Sequence, residues 1–330
     1  MSFKDIVGQE KAVEMLSGII ERQRVASSYL FCGEPGIGKK TAAINFAKAL
    51  NCLDPDSLRE GHPTGHNRFD AWDECESCVK IDAGTHPDFL LVSPEERQIR
   101  IEEIRIIDDA LSFKPYEGKK KVVIVDDAET MNIAAANAFL KMLEEPPKDS
   151  VIILVSSKPD VLPSTIRSRC SRINFAPLPP ESCREVLGRK IPGKNIELLA
   201  RLAMGSPGIA LSTDLLEERT WFLDLFSCML QAEKDGWTSR EDMERWFNSV
   251  MTLFRDMAVL KISDDPARLI NADLHDYLAA LNKSLDLKVI IELYGKLNRL
   301  RGLLMFNLNK SLTWNYTASL LRKELSQNNA

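Results

Sequence analysis

From the opening residues to about position 175, short apolar runs alternate with stretches whose apolar positions recur every three to four residues. This is the sequence form of an α/β domain built on a parallel sheet. The runs predict strands at residues 29–32, 89–92, 122–125, 151–155 and 173–175. Between them Ala43, Phe46, Ala47 and Leu50 fall on one helical face, as do Ala136, Phe139, Leu140 and Leu143. The second of these helices must stop at Pro146-Pro147, because proline lacks the N–H a helix needs. The proline-rich stretch 176–180 can continue neither a helix nor a central strand and marks a domain boundary. Beyond it the strand pattern ends. Residues 181–211 read as a small helical unit, and 215–325 as longer helices interrupted near Asp264-Asp265-Pro266. Leu293, Leu297, Leu300, Leu303 and Leu304 fit one helical face, suited to a domain core or to subunit packing. The expected organisation is therefore three domains, at 1–176, 177–212 and 213–330.

Composition narrows the function classes. Of 330 residues, 43 are Lys or Arg and 48 Asp or Glu, a net charge of -5, which argues against a protein that grips nucleic acid by itself. The first residues lack the basic, apolar and small-residue succession of a signal peptide, and no run of 18 apolar residues follows, so a cytoplasmic protein is expected. Seven cysteines are too few for a disulfide scaffold in a chain of this length, which makes clustered cysteines metal candidates.

Two motifs carry phosphate chemistry. Gly33-Glu34-Pro35-Gly36-Ile37-Gly38-Lys39-Lys40-Thr41 fits G-x-x-x-x-G-K, following a predicted strand and opening a predicted helix. The glycines let backbone N–H groups curl around phosphates, and Lys39 can neutralise their oxygens. Position 40 should carry the hydroxyl that ligates Mg²⁺, but Lys40 has no lone pair and brings a second cation; Thr41 comes one residue late. Weakened use of ATP or ADP is expected. The strand end Val122-Val123-Ile124-Val125-Asp126-Asp127 resembles a Walker B site in which Asp126 holds the metal. Asp127 stands where active AAA+ ATPases often place a longer glutamate.

The string Asn137-Ala138-Phe139-Leu140-Lys141-Met142-Leu143-Glu144-Glu145-Pro146-Pro147 then resembles the AAA+ subunits of bacterial DNA polymerase III clamp loaders, and Ser168-Arg169-Cys170 resembles the S-R-C motif of that family. The resemblance runs from residue 3 to about 211; the helical remainder agrees only in kind. It implies an AAA+ phosphate-loop domain, a helical lid and an all-α collar. It also implies a nucleotide pocket whose adenine side includes Ile6 and Val7, a sensor serine at Ser157, and an arginine finger, Arg169, that reaches a neighbouring subunit's ATP site. Gly208, within Gly205-Ser206-Pro207-Gly208, stands where the family's motor subunit has an arginine. Lys40, Asp127 and Gly208 together favour a subunit that assists hydrolysis over one that performs it. The implied partners are a tau/gamma-type motor, a delta subunit, the sliding clamp and primed DNA. The rival readings are an active motor subunit and an AAA+ remodeller of DNA junctions or protein complexes.

Members of the family carry a zinc module inserted after the phosphate-loop helix. The corresponding segment here, about 52–78, contains Cys52, His62, His66, Cys75 and Cys78. Cys75 and Cys78 have the spacing that lets two thiolates reach one metal. The expected ligands are four of the five residues: three cysteines with one histidine, or two cysteines and both histidines without Cys52. Trp72 sits where a further cysteine would be looked for, and His86 is not expected to ligate. Lys119-Lys120-Lys121 is expected to be a solvated turn, and the C-terminal aromatic residues to pack internally, since they do not alternate with basic residues.

Overall fold

A computed structural model describes residues 2–53, 70–95, 98–193, 195–231, 236–263, 265–283, 285–306 and 308–325. The chain divides into two compact units, one of residues 1–186 with 205–208 and the other of residues 187–204 with 209–330.

In the first unit the apolar runs become five strands, β1 Ser28–Cys32, β2 Phe89–Val92, β3 Lys121–Val125, β4 Ser150–Ser156 and β5 Ser171–Asn174. All pair in parallel, in the order β2-β3-β4-β1-β5. Strands covered on both faces need no polar alternation, and β1 and β4 are buried along their whole length. The last strand starts two residues earlier than the sequence pattern suggests and ends before Phe175. Even so, the Phe175 N–H still donates to Cys32 O at 2.8 Å.

Helices α1 Glu10–Glu21, α2 Lys39–Asn51, α3 Glu76–Asp82, α4 Ile101–Leu111, α5 Ile133–Glu144 and the short α6 Ser164–Arg167 connect the strands. The expected face of α2 is buried, with the Phe46 ring edge-on to Tyr29 of β1, centroids 5.3 Å apart. Asn132 caps α5 by accepting the Ala135 N–H, and the helix ends at Glu144, just ahead of the proline pair. Ala136, Phe139 and Leu143 are buried, with Leu140 at the edge of that face.

Helix α7 Pro180–Lys190 leads from the first unit into the second. After it come α8 Ile196–Leu202, α9 Pro207–Ser212, α10 Leu215–Leu230, α11 Arg240–Ile262, α12 His275–Asn282, α13 Leu287–Leu303 and α14 Lys310–Leu325. Ser239 caps α11 through the Asp242 N–H, and that helix ends just before the expected break. The second unit's core is aromatic: the Trp237 ring lies 5.1 Å from Trp314 and 5.4 Å from Trp246, and both of these partners are buried. Leu293, Leu297 and Leu304 join this core, and Leu300 packs at its edge. Leu303 does not, and is 41% exposed. At 100° per residue it lies about 80° around the helix from Leu293, off the buried stripe. Among the described residues, no helix is long and apolar enough to cross a membrane.

Candidate functional site

The phosphate loop turns from β1 into α2. Gly33 permits a close approach: a Cβ there would lie 2.6 Å from Phe175 O and from Ile37 Cδ1. Gly36 and Gly38 take positive φ, 74° and 99°, which curls the backbone toward the start of α2. Lys39 is buried, and its ammonium donates to Gly33 O at 2.7 Å, Glu34 O at 2.6 Å and Ser157 Oγ at 3.2 Å. Burial pushes its pKa down, while the Glu129, Asp127, Asp126 and Glu34 carboxylates pull the other way. All three Lys39 donors are thus engaged by the protein.

Lys40, the residue out of place in the motif, extends to the end of β3, where its Nζ lies 3.0 Å from Asp126 Oδ2. Asp126 is the carboxylate that the Walker B resemblance assigns to Mg²⁺, so the lysine ammonium stands where the metal's charge would be. A divalent ion about 4 Å from an ammonium meets repulsion on the order of 8 kcal/mol at an effective dielectric constant near 20, and less at a half-exposed side chain such as this one. Magnesium therefore does not fit while the pair stands. Thr41 is half-buried one position further along α2, and Asp127 is exposed with a left-handed backbone, φ 46°.

Two residues that motif reading did not single out, Glu129 and Gln9, complete this site together with Gly208. Glu129 accepts the Ser157 N–H at 3.0 Å through Oε1, and its buried Oε2 has no hydrogen-bond partner among the described residues. Gln9 donates to Ile37 O at 3.2 Å and to Ala176 O at 2.7 Å, so the N-terminal segment carrying Ile6 and Val7, both half-buried, is tied to the loop and to the exit of β5. The Gly208 N–H donates to Gly36 O at 2.8 Å, and a Cβ on Gly208 would meet Gly36 Cα and O at 2.8 Å. Only a long string of identical contacts across many sequences would have pointed to Gln9 or Glu129; a single sequence carries no such signal.

Arg169 follows α6. One guanidinium nitrogen donates to Thr165 O at 2.9 Å and another to Glu144 Oε1 at 2.7 Å, so the end of α5 holds the side chain at the surface. The motif strings around Glu144 and Arg169 thus meet in space.

Cys52, Cys75 and Cys78 are buried, and their sulfur atoms all lie within 4.8 Å of one another. Cys52 and Cys75 are 3.8 Å apart, the separation that a tetrahedral centre with Zn–S bonds of about 2.3 Å requires. The Trp72 N–H points at Cys52 Sγ at 3.5 Å and the Cys78 N–H at Cys75 Sγ at 3.4 Å, so backbone donors already favour anionic sulfur. The donor set fits a soft divalent metal. His62 and His66 lie outside the described residues. Around the cluster, Asp70 accepts the N–H groups of Phe3 and Lys4 at 2.8 and 3.1 Å, and the fully buried Lys48 of α2 pairs with Asp73 and Asp82.

The remaining candidates have structural partners. Lys119 donates to Cys52 O, Lys120 pairs with Asp149, and Lys121 donates to Ala110 O. His86 is buried and accepts the Asp88 N–H through Nδ1 at 3.0 Å, at the entrance of β2.

The chain is similar to known proteins. A family model described as "DNA polymerase III, delta subunit" matches residues 8–179, just over half of the 330. The chain is 28% identical over 281 residues to DNA polymerase III subunit delta' of Bacillus subtilis, covering 81% of this chain and 82% of that protein. It is 30% identical over 285 residues to subunit delta' of Escherichia coli, covering 82% and 80%. A subunit tau of Bacillus subtilis is 33% identical over 220 residues, 64% of this chain but only 36% of that longer protein. These two delta' matches extend through about four fifths of each protein, whereas the tau match covers 36% of that longer protein. On these grounds the chain belongs to the delta' family of DNA polymerase III clamp-loader subunits.

Proposed function

We propose that this protein is the assisting AAA+ subunit of a clamp loader: it supplies Arg169 to the ATP site of a neighbouring tau/gamma-type motor subunit and hydrolyses little or no ATP itself. In this role it works with the motor and a delta subunit to load the sliding clamp onto primed DNA. The observation that carries the reading is the ion pair between Lys40 and Asp126, 3.0 Å, at the position a catalytic metal needs. Asp127 in place of glutamate and Gly208 against the phosphate loop point the same way. Arg169 suits its role because a guanidinium is planar and permanently charged, and can hold two oxygens as charge develops on a transferring phosphate. Its present partner, Glu144, is a surface carboxylate, and such pairs contribute only about 0–1 kcal/mol, so the side chain is oriented without being locked.

In this reading residues 177–212 form the lid and residues 213–330 the oligomerising collar. Cys52, Cys75 and Cys78, with His62 or His66, hold a structural zinc ion that orders the insertion. When bound, zinc would supply cross-linking of the insertion.

The test is reconstitution with the motor and delta subunits, comparing DNA-stimulated ATPase rates for the wild type, Arg169→Ala and Lys39→Ala. Arginine fingers contribute factors of about 10³–10⁵ in related phosphoryl-transfer sites, so Arg169→Ala should remove the adjacent site's share of turnover. Lys39→Ala should leave turnover nearly intact. Equal loss from both variants would make the chain a motor, and loss from neither would refute the assisting role.

A further inference from the structure

A phosphate loop ordinarily receives its nucleotide as a magnesium complex, because the metal offsets the charge of the terminal phosphates and bridges them to the Walker B carboxylate. Here the loop's shape is kept, with left-handed Gly36 and Gly38 opening onto α2, but the positive charge comes from the chain. Lys39 has all three donors engaged, by Gly33 O, Glu34 O and Ser157 Oγ. Lys40 is placed differently. It is half-exposed, and its ammonium forms an ion pair with Asp126 at 3.0 Å that leaves part of its surface open to solvent.

We propose that this site takes a nucleoside di- or triphosphate without a divalent metal, Lys40 serving as a built-in counter-cation between Asp126 and the phosphates. The proposal rests on the loop being a nucleotide site and is independent of the role given to Arg169. It follows from a substitution of charge: Lys40 bridges carboxylate and phosphate as Mg²⁺ would, but cannot polarise a phosphoryl oxygen or order an attacking water as the metal does. Binding and hydrolysis are thereby separated. Replacing Lys40 by threonine does two things at once. It removes the ammonium paired with Asp126, and it returns a hydroxyl to the position where a metal ligand belongs.

The experiment titrates fluorescently labelled ADP and ATP into the full chain and follows anisotropy. The buffer is passed over chelating resin and used with and without added MgCl₂; EDTA is avoided because it would also strip a metal held by the cysteines. Wild-type dissociation constants should agree within about twofold between the two buffers, while Lys40→Thr should bind at least about tenfold more weakly without magnesium, a difference of about 1.4 kcal/mol. Circular dichroism melting of both proteins checks that the variant is folded. The proposal is overturned if wild-type binding weakens about tenfold when magnesium is omitted, or if Lys40→Thr is indifferent to the metal. It also fails if neither nucleotide binds in either buffer, a result that would remove the nucleotide site while leaving the Arg169 measurement untouched.

Discussion

Gly208→Ala is the smallest substitution that tests how the phosphate loop is held. The added Cβ would stand 2.8 Å from Gly36 Cα and O and 3.1 Å from its carbonyl carbon, all backbone atoms that cannot rotate aside. Either the loop or the start of α9 must shift. Overpacking of this kind costs about 1–3 kcal/mol, and a shift that breaks the Gly208 N–H to Gly36 O bond adds about 0.5–1.5 kcal/mol. The better helix propensity of alanine offsets up to about 1 kcal/mol, leaving a net loss of about 1–3 kcal/mol. For a unit of this size each kcal/mol lowers the melting temperature by about 2–4 °C. Calorimetry of the sheet-containing unit should therefore register a fall of several degrees. The same substitution at Gly18, inside α1, is the internal control, because a Cβ there meets nothing within 4 Å. It should raise stability by about 0.5–1 kcal/mol. Equal shifts of the same sign at the two positions, or a Gly208→Ala protein melting with the wild type, would refute the packing argument. The contact also means that restoring the motor's arginine at 208 alone cannot rebuild a motor site, since the loop beneath would have to move first.

Two further outcomes follow from the fold. The purified protein should contain about one zinc ion per chain by elemental analysis. Cys78→Ser should lose it and increase amide exchange both around residues 70–78 and at Phe3 and Lys4, whose N–H groups rest on Asp70; unchanged exchange at Phe3 and Lys4 would separate the cysteines from the N-terminal segment. Acid should destabilise the first unit in two stages, read as the urea midpoint against pH. Burial depresses His86, so the unfolded chain binds more protons and stability falls as pH drops below about 6.5. Asp88 is also depressed: burial works against this, but the N–H groups of Gly118, Tyr116 and Glu117 and the Lys121 charge outweigh it. Its contribution is therefore complete above about pH 4 and is lost as pH falls through its lowered value. Asp88→Asn should cost about 1–3 kcal/mol at neutral pH and flatten the lower stage; an unchanged profile in that variant would contradict the assignment.

What could be read from the sequence depended on the range of the interaction. Strands buried on both faces appear as unbroken apolar runs, so β1 and β4 are legible nearly to the residue, whereas β5, exposed at three of its four positions, offers a short apolar run that sets it at 173–175 in place of 171–174. The Cys75–Cys78 pair was legible from spacing, and folding brings Cys52 to it from 23 residues away. Lys40 was legible as a departure, but its partner Asp126 was not, because an ion pair between two elements leaves no periodicity in either. The same holds for Gln9 bridging Ile37 and Ala176, Glu144 holding Arg169, and Gly208 lying on Gly36. Leu303 differs in the opposite sense: its spacing fits the pattern, but it stops one residue, or 100° of rotation, short of Leu304 and so lies off the stripe.

The strand order also sets a schedule for synthesis. β1, which leads into the phosphate loop, pairs with β4 and β5, the last two strands to be made, and with no earlier one. About 120 residues separate the end of β1 from the start of β4, and at roughly 5–20 residues per second that interval lasts about 6–24 s. Throughout it, Tyr29, Leu30 and Phe31 are without their ladder partners in β4 and β5. The nascent chain thus carries a ready-made ligand for chaperones that recognise extended apolar segments, and slowing translation between residues 33 and 150 should lengthen that exposure in proportion.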